Sequence, residues 1–560
     1  MTALPVTRWV GDGRTKVIFL GGVGEIGRNM TVFEHDGRFL IIDVGFMFPT
    51  EEMLGVDIVL PDFGFLRGRE DDIEGVVLTH GHEDHVGGLP YLLREMELDI
   101  YASRLTVGLV TPKLEEHRVI DQANLIEVET PGRLKLGPFD LSFFAMAHSI
   151  PDAISTVIET PSAKIVHTGD FKLDFDEEGS PIGLEGLFSK ALGADLLMAD
   201  STNAETPGHT PSEKIVAEEI ARVIDRAPGR VVVACFASNI HRVQLIASAA
   251  EAAGRLVALV GRSMVNNVRV ARELGYLHVA DGTIIPIDEA GGIPSEHLVI
   301  ICTGSQGEPL SALSLMAAKD HKYIDLDEDD TVVVSATPIP GNESAVRRVI
   351  DGLFRIGVDV VHPPESPVHV SGHASAEDLK YLISQVKPKW FVPIHGEYRH
   401  LATHVRLAQQ VGVPAERCLI AQDGDVLAID PDGLQKIDRI EAGYVLVDGV
   451  GIGQVGDEVL RDRRLLADEG FIVCVVTIDS QTGELISEPE LMSRGFAIEE
   501  HAEEFFEKAR AEIRESLANL AEDGVTEWAA IRRAVRKSLG TLVWRQTRRR
   551  PILLPVVVEV

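Results

Sequence analysis

The run Thr79-His80-Gly81-His82-Glu83-Asp84-His85 places three imidazoles and a carboxylate within six positions, directly after the apolar stretch Gly75-Val76-Val77-Leu78. Imidazole nitrogen and carboxylate oxygen are ligands that a borderline cation such as Zn²⁺ accepts. Alternate residues of an extended chain share a side, so His80, His82 and Asp84 can converge while His85 faces the other way. One ion rarely takes four ligands packed this tightly. The spacing therefore suggests two neighbouring ions, with His80 and His82 on one and Asp84 and His85 on the other, and two-metal hydrolysis as the chemistry. The competing reading, a His-rich solvated loop, fits less well, because the run sits at a strand end followed by Gly87-Gly88, where functional loops commonly lie.

Two further strand ends supply what the first cluster lacks. The stretch 141–147 delivers His148, and 164–168 delivers Asp170 within His167-Thr168-Gly169-Asp170-Phe171. A catalytic ion is expected to keep three protein ligands and an open position, so His148 could complete the first ion and Asp170 could bridge both. Nearer the start, Gly22-Val23-Gly24-Glu25-Ile26-Gly27 matches the dinucleotide fingerprint in letters only. That fingerprint needs a helix after the glycines. Here 30–34 and 39–43 read as two strands joined by a His35-Asp36-Gly37 turn, which leaves the glycines and Asp43 as scaffold around the metal site.

Composition bounds the rest. The chain has 560 residues, 45% of them hydrophobic, with a mean hydropathy of +0.09; two or three domains with sizeable cores are expected. No apolar run approaches the length that crosses a bilayer, and the first residues lack the apolar core of a secretory signal, so a cytoplasmic protein without membrane association is expected. Cys235, Cys302, Cys418 and Cys474 are far apart, which argues against disulfides and thiolate zinc sites. The net charge of −34 disfavours a polyanionic partner on its face, yet divalent ions and a local basic lining can still attract phosphate. Arg532, Arg533, Arg536, Lys537, Arg545 and the run Arg548-Arg549-Arg550 could be an RNA-facing patch or a solvated helix face.

Taken together, HxHxDH, a downstream His and a strand-end Asp resemble the metallo-β-lactamase superfamily, whose fold is an αββα sandwich. The distance from Asp170 to the next comparably placed His resembles the inserted β-CASP domain of its nucleic-acid-processing branch. Asp200, His373 in His369-Val370-Ser371-Gly372-His373-Ala374-Ser375, and His395 in Phe391-Val392-Pro393-Ile394-His395 look like that branch's motifs A, B and C. Within the branch, Gly24-Glu25-Ile26-Gly27-Arg28-Asn29-Met30, Cys302-Thr303-Gly304-Ser305-Gln306-Gly307-Glu308-Pro309 and Ser371-Gly372-His373-Ala374 resemble the bacterial ribonuclease J family.

The resemblance implies an α/β protein: a metallo-β-lactamase αββα sandwich (1–215 and 366–438), an inserted three-layer α/β β-CASP domain (216–365), a linker (439–458) and a small C-terminal α/β domain (459–560). It implies His80, His82, His148 and Asp170 on one divalent ion and Asp84, His85, Asp170 and His395 on the other, with zinc favoured and manganese or magnesium open. The catalytic set is Asp84, Asp170 and His373, the last contacting the scissile phosphate or assisting the leaving oxygen. RNA is the implied substrate, attacked by hydroxide without a covalent enzyme intermediate, 5′-to-3′ from a 5′ monophosphate and also internally, in mRNA decay and rRNA maturation. A homodimer or homotetramer and RNA-decay proteins are the implied partners. The segment His369, Val370, Ser371, Gly372, His373 and Ser375 would cradle phosphate. Ser238, Asn239, Arg262 and Ser263, at strand ends of the insert, would add a pocket for the 5′ phosphate. The alternatives are a small-molecule metallohydrolase and a metal-binding scaffold in an RNA-decay assembly.

Overall fold

The computed structural model describes residues 11–176, 181–308, 310–339, 342–496 and 502–560. It divides into two compact units, Met1–Phe48 with Ile58–Val445 and Pro49–Asp57 with Leu446–Val560.

In the larger unit two mixed sheets face each other. One has eight strands in the order Gly433–Arg439, Asp425–Asp430, Thr15–Gly21, Met30–His35, Arg38–Ile42, Ile73–Val77, Leu98–Ala102 and Ala123–Glu127. The other has six, in the order Trp390–Ile394, Leu196–Asp200, Lys164–His167, Ala153–Glu159, Phe139–Met146 and Gly132–Leu136. Phe19, Phe33, Leu40 and Ile42 of the first interleave with Phe139, Phe143, Ile165 and Met198 of the second in one buried layer. Each outer face is covered by helices. Arg104–Glu116 lies on the first sheet, and Glu185–Ala191, Ala376–Val386 and Tyr398–Gln410 lie on the second. Strands buried on both faces read as continuous apolar runs, as in Leu196–Asp200 and Trp390–Ile394.

The glycine-rich start behaves as its letters require. No helix follows Gly27; Met30–His35 pairs antiparallel with Arg38–Ile42 in a hairpin. Asp36 and Gly37 close it at φ +49° and +84°, the left-handed pair that two-residue hairpin turns favour.

Inserted between Leu196–Asp200 and Trp390–Ile394 is a third sheet, parallel throughout, ordered Ile284–Ile285, Leu256–Val260, Leu298–Cys302, Val231–Ala234, Thr331–Val334 and Asp359–Val361. Glu213–Arg226, Ile240–Ala252 and Arg262–Leu274 pack on one face, Ala312–Ala317 and Glu343–Ile356 on the other. Parallel strands need crossovers, and the helices that supply them make the three layers. The fold is therefore the αββα sandwich with a three-layer α/β insert.

The smaller unit carries a sheet ordered Glu490–Arg494, Phe471–Ile478 and Ile552–Glu559, one side of which packs against Ala502–Glu522 and Trp528–Thr547. Strict alternation along Phe471–Ile478 buries Ile472, Cys474, Val476 and Ile478. Leu542 and Val543 prolong the buried stripe of Trp528–Thr547 to its last turns. The stretch 439–458 is not structureless: Tyr444–Asp448 is a strand whose end pairs with Gly451–Ile452. Among the described residues no helix is long and apolar enough to cross a membrane.

Phe33 is fully buried between the two sheets of the sandwich. Phe33→Ala should lower unfolding free energy by about 3–5 kcal/mol in denaturant titrations, since the sheets cannot collapse into the cavity.

Candidate metal centre

Four strand ends and one helical turn bring seven side chains together. His80 and His82 follow Ile73–Val77, but the chain does not stay extended: Glu83–Val86 is a helical turn with His82 at its N-cap. The turn, rather than strand alternation, swings Asp84 and His85 away from His80 and His82. His148 follows Phe139–Met146, Asp170 follows Lys164–His167, and His395 follows Trp390–Ile394.

Two nests result. The ligand atoms of His80, His82, His148 and Asp170 lie within 4.8 Å of one another, as do those of Asp84, His85, Asp170 and His395. Asp170 is common to both. Its Oδ2 stands 3.7 Å from His80 Nε2, 3.9 Å from His148 Nε2, 3.2 Å from His85 Nε2 and 3.3 Å from His395 Nε2. Asp84 Oδ2 closes the second nest, 3.2 Å from His395 Nε2 and 3.5 Å from His85 Nε2.

The far ring atom of four histidines is anchored so that the near one faces the nest. His80 Nδ1 meets Thr79 Oγ1 at 3.0 Å, and that hydroxyl donates to Asp43 Oδ2 at 2.8 Å. His85 Nδ1 donates to Asp43 Oδ2 at 2.8 Å. His148 Nδ1 donates to the Gly372 carbonyl at 2.7 Å, and His395 Nδ1 meets Thr202 Oγ1 at 2.9 Å. Such partners fix tautomer and ring direction in metal sites. In the first nest the inward nitrogens of His80 and His82 approach to 3.0 Å, and those of His82 and His148 to 3.2 Å. Three lone-pair atoms and a carboxylate so close, with ring orientation already set, fit a divalent cation.

The backbone is shaped for this approach. A Cβ at Gly45 would lie 1.7 Å from the Asp84 carbonyl, and one at Gly372 would lie 2.8 Å from His148 Cε1. Asp43 and His395 adopt φ of +62° and +51°; strain of this kind tends to gather at functional sites. The glycine connection carries its own anchors: Asn29 donates from its backbone and its Nδ2 to the Asp84 carbonyl, each at 3.0 Å, and the Gly22 carbonyl accepts from His395 N.

Electrostatically the nests differ. Burial holds His80 and His148 well below the ordinary histidine range and takes His82 down to about 4. In the second nest burial acts in the same direction but is overcome: Asp170 and Asp84 carry His85 well up, and Asp170, Asp84 and Asp200 take His395 up to about 10. Burial pushes the Asp170 carboxyl up, yet His395 and His85 bring it well below the usual carboxylate range.

His373 sits at the rim, with Nδ1 2.7 Å from Asp200 Oδ2 and 3.9 Å from Asp170 Oδ2. Burial lowers its pKa, but Asp200 and Asp170 outweigh that and raise it. The other expected substrate contacts separate into groups. Ser371 Oγ accepts from His373 N, and Gly372 holds His148. Val370 is packed in the core of the insert, so its side chain meets no substrate. Ser375 is buried and caps Ala376–Val386, held also by Asn203 and Thr210; its hydroxyl is committed to the fold rather than to phosphate. Asn239 likewise caps Ile240–Ala252 through its carboxamide, which removes its side chain from a phosphate pocket. His369 Nδ1 is buried without a hydrogen-bond partner, under the influence of Arg242 and Lys172 rather than among the nests. Ser238 is half-buried before the same helix, while Arg262 and Ser263 are exposed in the first turn of Arg262–Leu274. Thr79 and Thr202 were not foreseen as anchors, since a lone threonine carries no spacing signal.

Fold and centre together define a metallo-β-lactamase-superfamily hydrolase fold with a β-CASP insert. Residues 23–182 match the family described as metallo-beta-lactamase superfamily, 228–353 the ribonuclease J beta-CASP domain, 366–418 the Zn-dependent metallo-hydrolase RNA specificity domain, and 458–560 the ribonuclease J C-terminal domain. The chain is 43% identical to Ribonuclease J of Mycobacterium tuberculosis over 552 residues, 98% of each chain, and 42% identical to Ribonuclease J of Thermus thermophilus, covering 97% of this chain and 95% of that one. It belongs to the ribonuclease J family. A crystal structure of a protein of unknown function from Enterococcus faecalis shares the fold at a TM-score of 0.53 and 19% identity, covering 74% of this chain and all of that one.

The contrast between the nests gives a pH signature. His80, His82 and His148 are neutral near pH 6 and ready to ligate, whereas His85 and His395 must each release a proton first. Rising pH should therefore strengthen loading of the second nest much more than of the first. Zinc titrations of metal-free protein should show one equivalent bound near pH 6 and a second only as pH climbs, with proton release; equal loading of both at every pH would refute the contrast. Thr202→Val should weaken the second equivalent about 10–100-fold in chelator competition.

Proposed function

We propose that this protein is a metal-dependent ribonuclease that hydrolyses RNA phosphodiesters, 5′-to-3′ from a 5′ monophosphate and also internally, and that it serves mRNA decay and rRNA maturation. The observation that carries the reading is the single buried Asp170 Oδ2 facing both nests, with His373 held beside it by Asp200. Family membership and the match to an RNA specificity domain supply the substrate class.

In this reading His80, His82, His148 and Asp170 hold one divalent ion, and Asp84, His85, Asp170 and His395 hold the other. Such a pair lowers the pKa of water towards neutrality and neutralises charge on the phosphoryl oxygens. The protein's own residues do the rest. Asp200 accepts the Nδ1–H of His373 and favours its charged form, leaving Nε2–H as the donor for the leaving group. As the oxygen of a water that has already released one proton to solvent bonds to phosphorus, the bond from phosphorus to O3′ breaks and O3′ takes the His373 proton. The products are a 3′ hydroxyl and a 5′ monophosphate, the latter being the end that the next exonucleolytic round requires.

Arg262 and Ser263 in the first turn of a 13-residue helix suit a terminal phosphate, because free N–H groups and the helix dipole favour an anion there. With Ser238 they remain the proposed 5′-phosphate contacts. Zinc suits the N/O donor set best, with manganese or magnesium as substitutes.

End-labelled 5′-monophosphate and 5′-triphosphate RNAs should give mononucleotides from the first and internal fragments from both; persistence of both RNAs with metal-loaded protein would refute the reading. His373→Ala should keep both metals while lowering cleavage about 10²–10⁴-fold. Normal turnover in that variant would remove the acid role.

A further inference from the structure

The helix Trp528–Thr547 and the arginines after it reverse the charge of the rest of the chain. Between Trp528 and Arg550 there are eight Arg and Lys and no Asp or Glu, in a protein with 53 bases against 87 acids. Ile531, Val535, Leu539, Leu542 and Val543 face the core of the smaller unit, which turns the bases outward. Among the described residues Arg545 pairs with Glu512 and Arg549 with Glu469, and Arg550 donates its backbone N–H to Glu469, whereas the side chains of Arg533, Arg536, Lys537 and Arg548 are exposed without a carboxylate partner. Arg533, Lys537 and Trp544 follow at helical spacing on one side, spanning about 16 Å at 1.5 Å per residue.

Two exposed indoles punctuate this ridge. Arg548 and Arg550 lie over the Trp544 ring at 5.5 and 4.7 Å, and Arg532 lies over Trp528 at 5.2 Å. A solvated helix face gains nothing from large exposed aromatics, and a protein-contact face is usually poorer in unpaired cations. Phosphate-tracking cations interleaved with flat aromatic and guanidinium planes are what unpaired bases stack upon.

We propose that this ridge is an accessory binding site for single-stranded RNA, engaging phosphates through Arg533, Lys537 and Arg548 and a base through Trp544. The proposal rests on the ribonuclease reading and adds a second contact region for the same substrate.

The test compares full-length, metal-loaded protein with Arg533→Ala/Lys537→Ala/Arg548→Ala and with Trp544→Leu, on unstructured 5′-monophosphate RNAs of roughly 30 and roughly five nucleotides. For the long RNA, KM should rise about tenfold with kcat retained, while the short RNA is cleaved as before. The slope of log affinity against log salt should fall by about 2 in the triple variant, at roughly 0.7 per lost phosphate contact. Arg533→Lys/Arg548→Lys should retain most long-RNA binding. An unchanged KM for the long RNA, or equal losses on both RNAs, overturns the proposal. Should the unaltered protein cleave neither RNA, the ribonuclease reading fails, and anisotropy of the labelled long RNA still decides the ridge: equal binding by all variants overturns it. Loss of self-association with RNA binding unchanged would assign the ridge to protein contact and overturn it too.

Discussion

One buried carboxylate oxygen, Asp170 Oδ2, governs the geometry of the centre. Four imidazole nitrogens face it at 3.2 to 3.9 Å, and Asp84 and His373 stand in the same shell. An ionised carboxyl in a dry interior is costly unless opposed by positive charge. Protonated His85 and His395 provide that charge in the metal-free chain, and two cations would provide it better. The burial that makes the site expensive when empty is what makes it receptive to metal.

Holding such a cluster is a matter of strand ends. The two facing sheets bring 79–85, 148, 170, 200 and 395 to one edge, and their separation in sequence makes the site dependent on the whole sandwich. Local chemistry then refines what topology supplies. Asp43 links Thr79 and His85, so the first and second nests share one anchor. Gly372 joins the segment carrying His373 to His148 through its carbonyl, at a distance no side chain would allow. A disturbance at either point reaches both the cation sites and the proton donor.

Much of this was legible because ligand chemistry leaves a pattern. HxHxDH, a strand-end His148 and a strand-end Asp170 carry type and position together, and apolar runs such as 196–199 and 256–260 announce buried strands. The hairpin at Asp36-Gly37 was legible for the same reason: only certain residues accept its backbone. What escaped was context. Nothing in Thr79 or Thr202 distinguishes an anchor from any other threonine. Ser375 and Asn239 looked like phosphate contacts because the residues that bind anions at loops also cap helices, and spacing cannot tell which use prevails. Strand alternation set only His85 apart from His80, His82 and Asp84; in the fold a helical turn carries both Asp84 and His85 away from His80 and His82.

The strongly negative chain and its polyanionic substrate are reconciled by distance. Screening confines the reach of an exposed charge to roughly 8 Å at physiological salt, so −34 spread over the whole surface has little hold on a phosphate beyond that distance. What phosphate meets at contact is local. At the centre it would meet cations and a raised-pKa His373, and along Trp528–Arg550 a stretch without acids. An acidic surface with a few positive contacts favours substrates that engage several of them together and disfavours those that engage one. On the proposed function, selectivity for extended chains would follow from charge placement, without any base-specific contact.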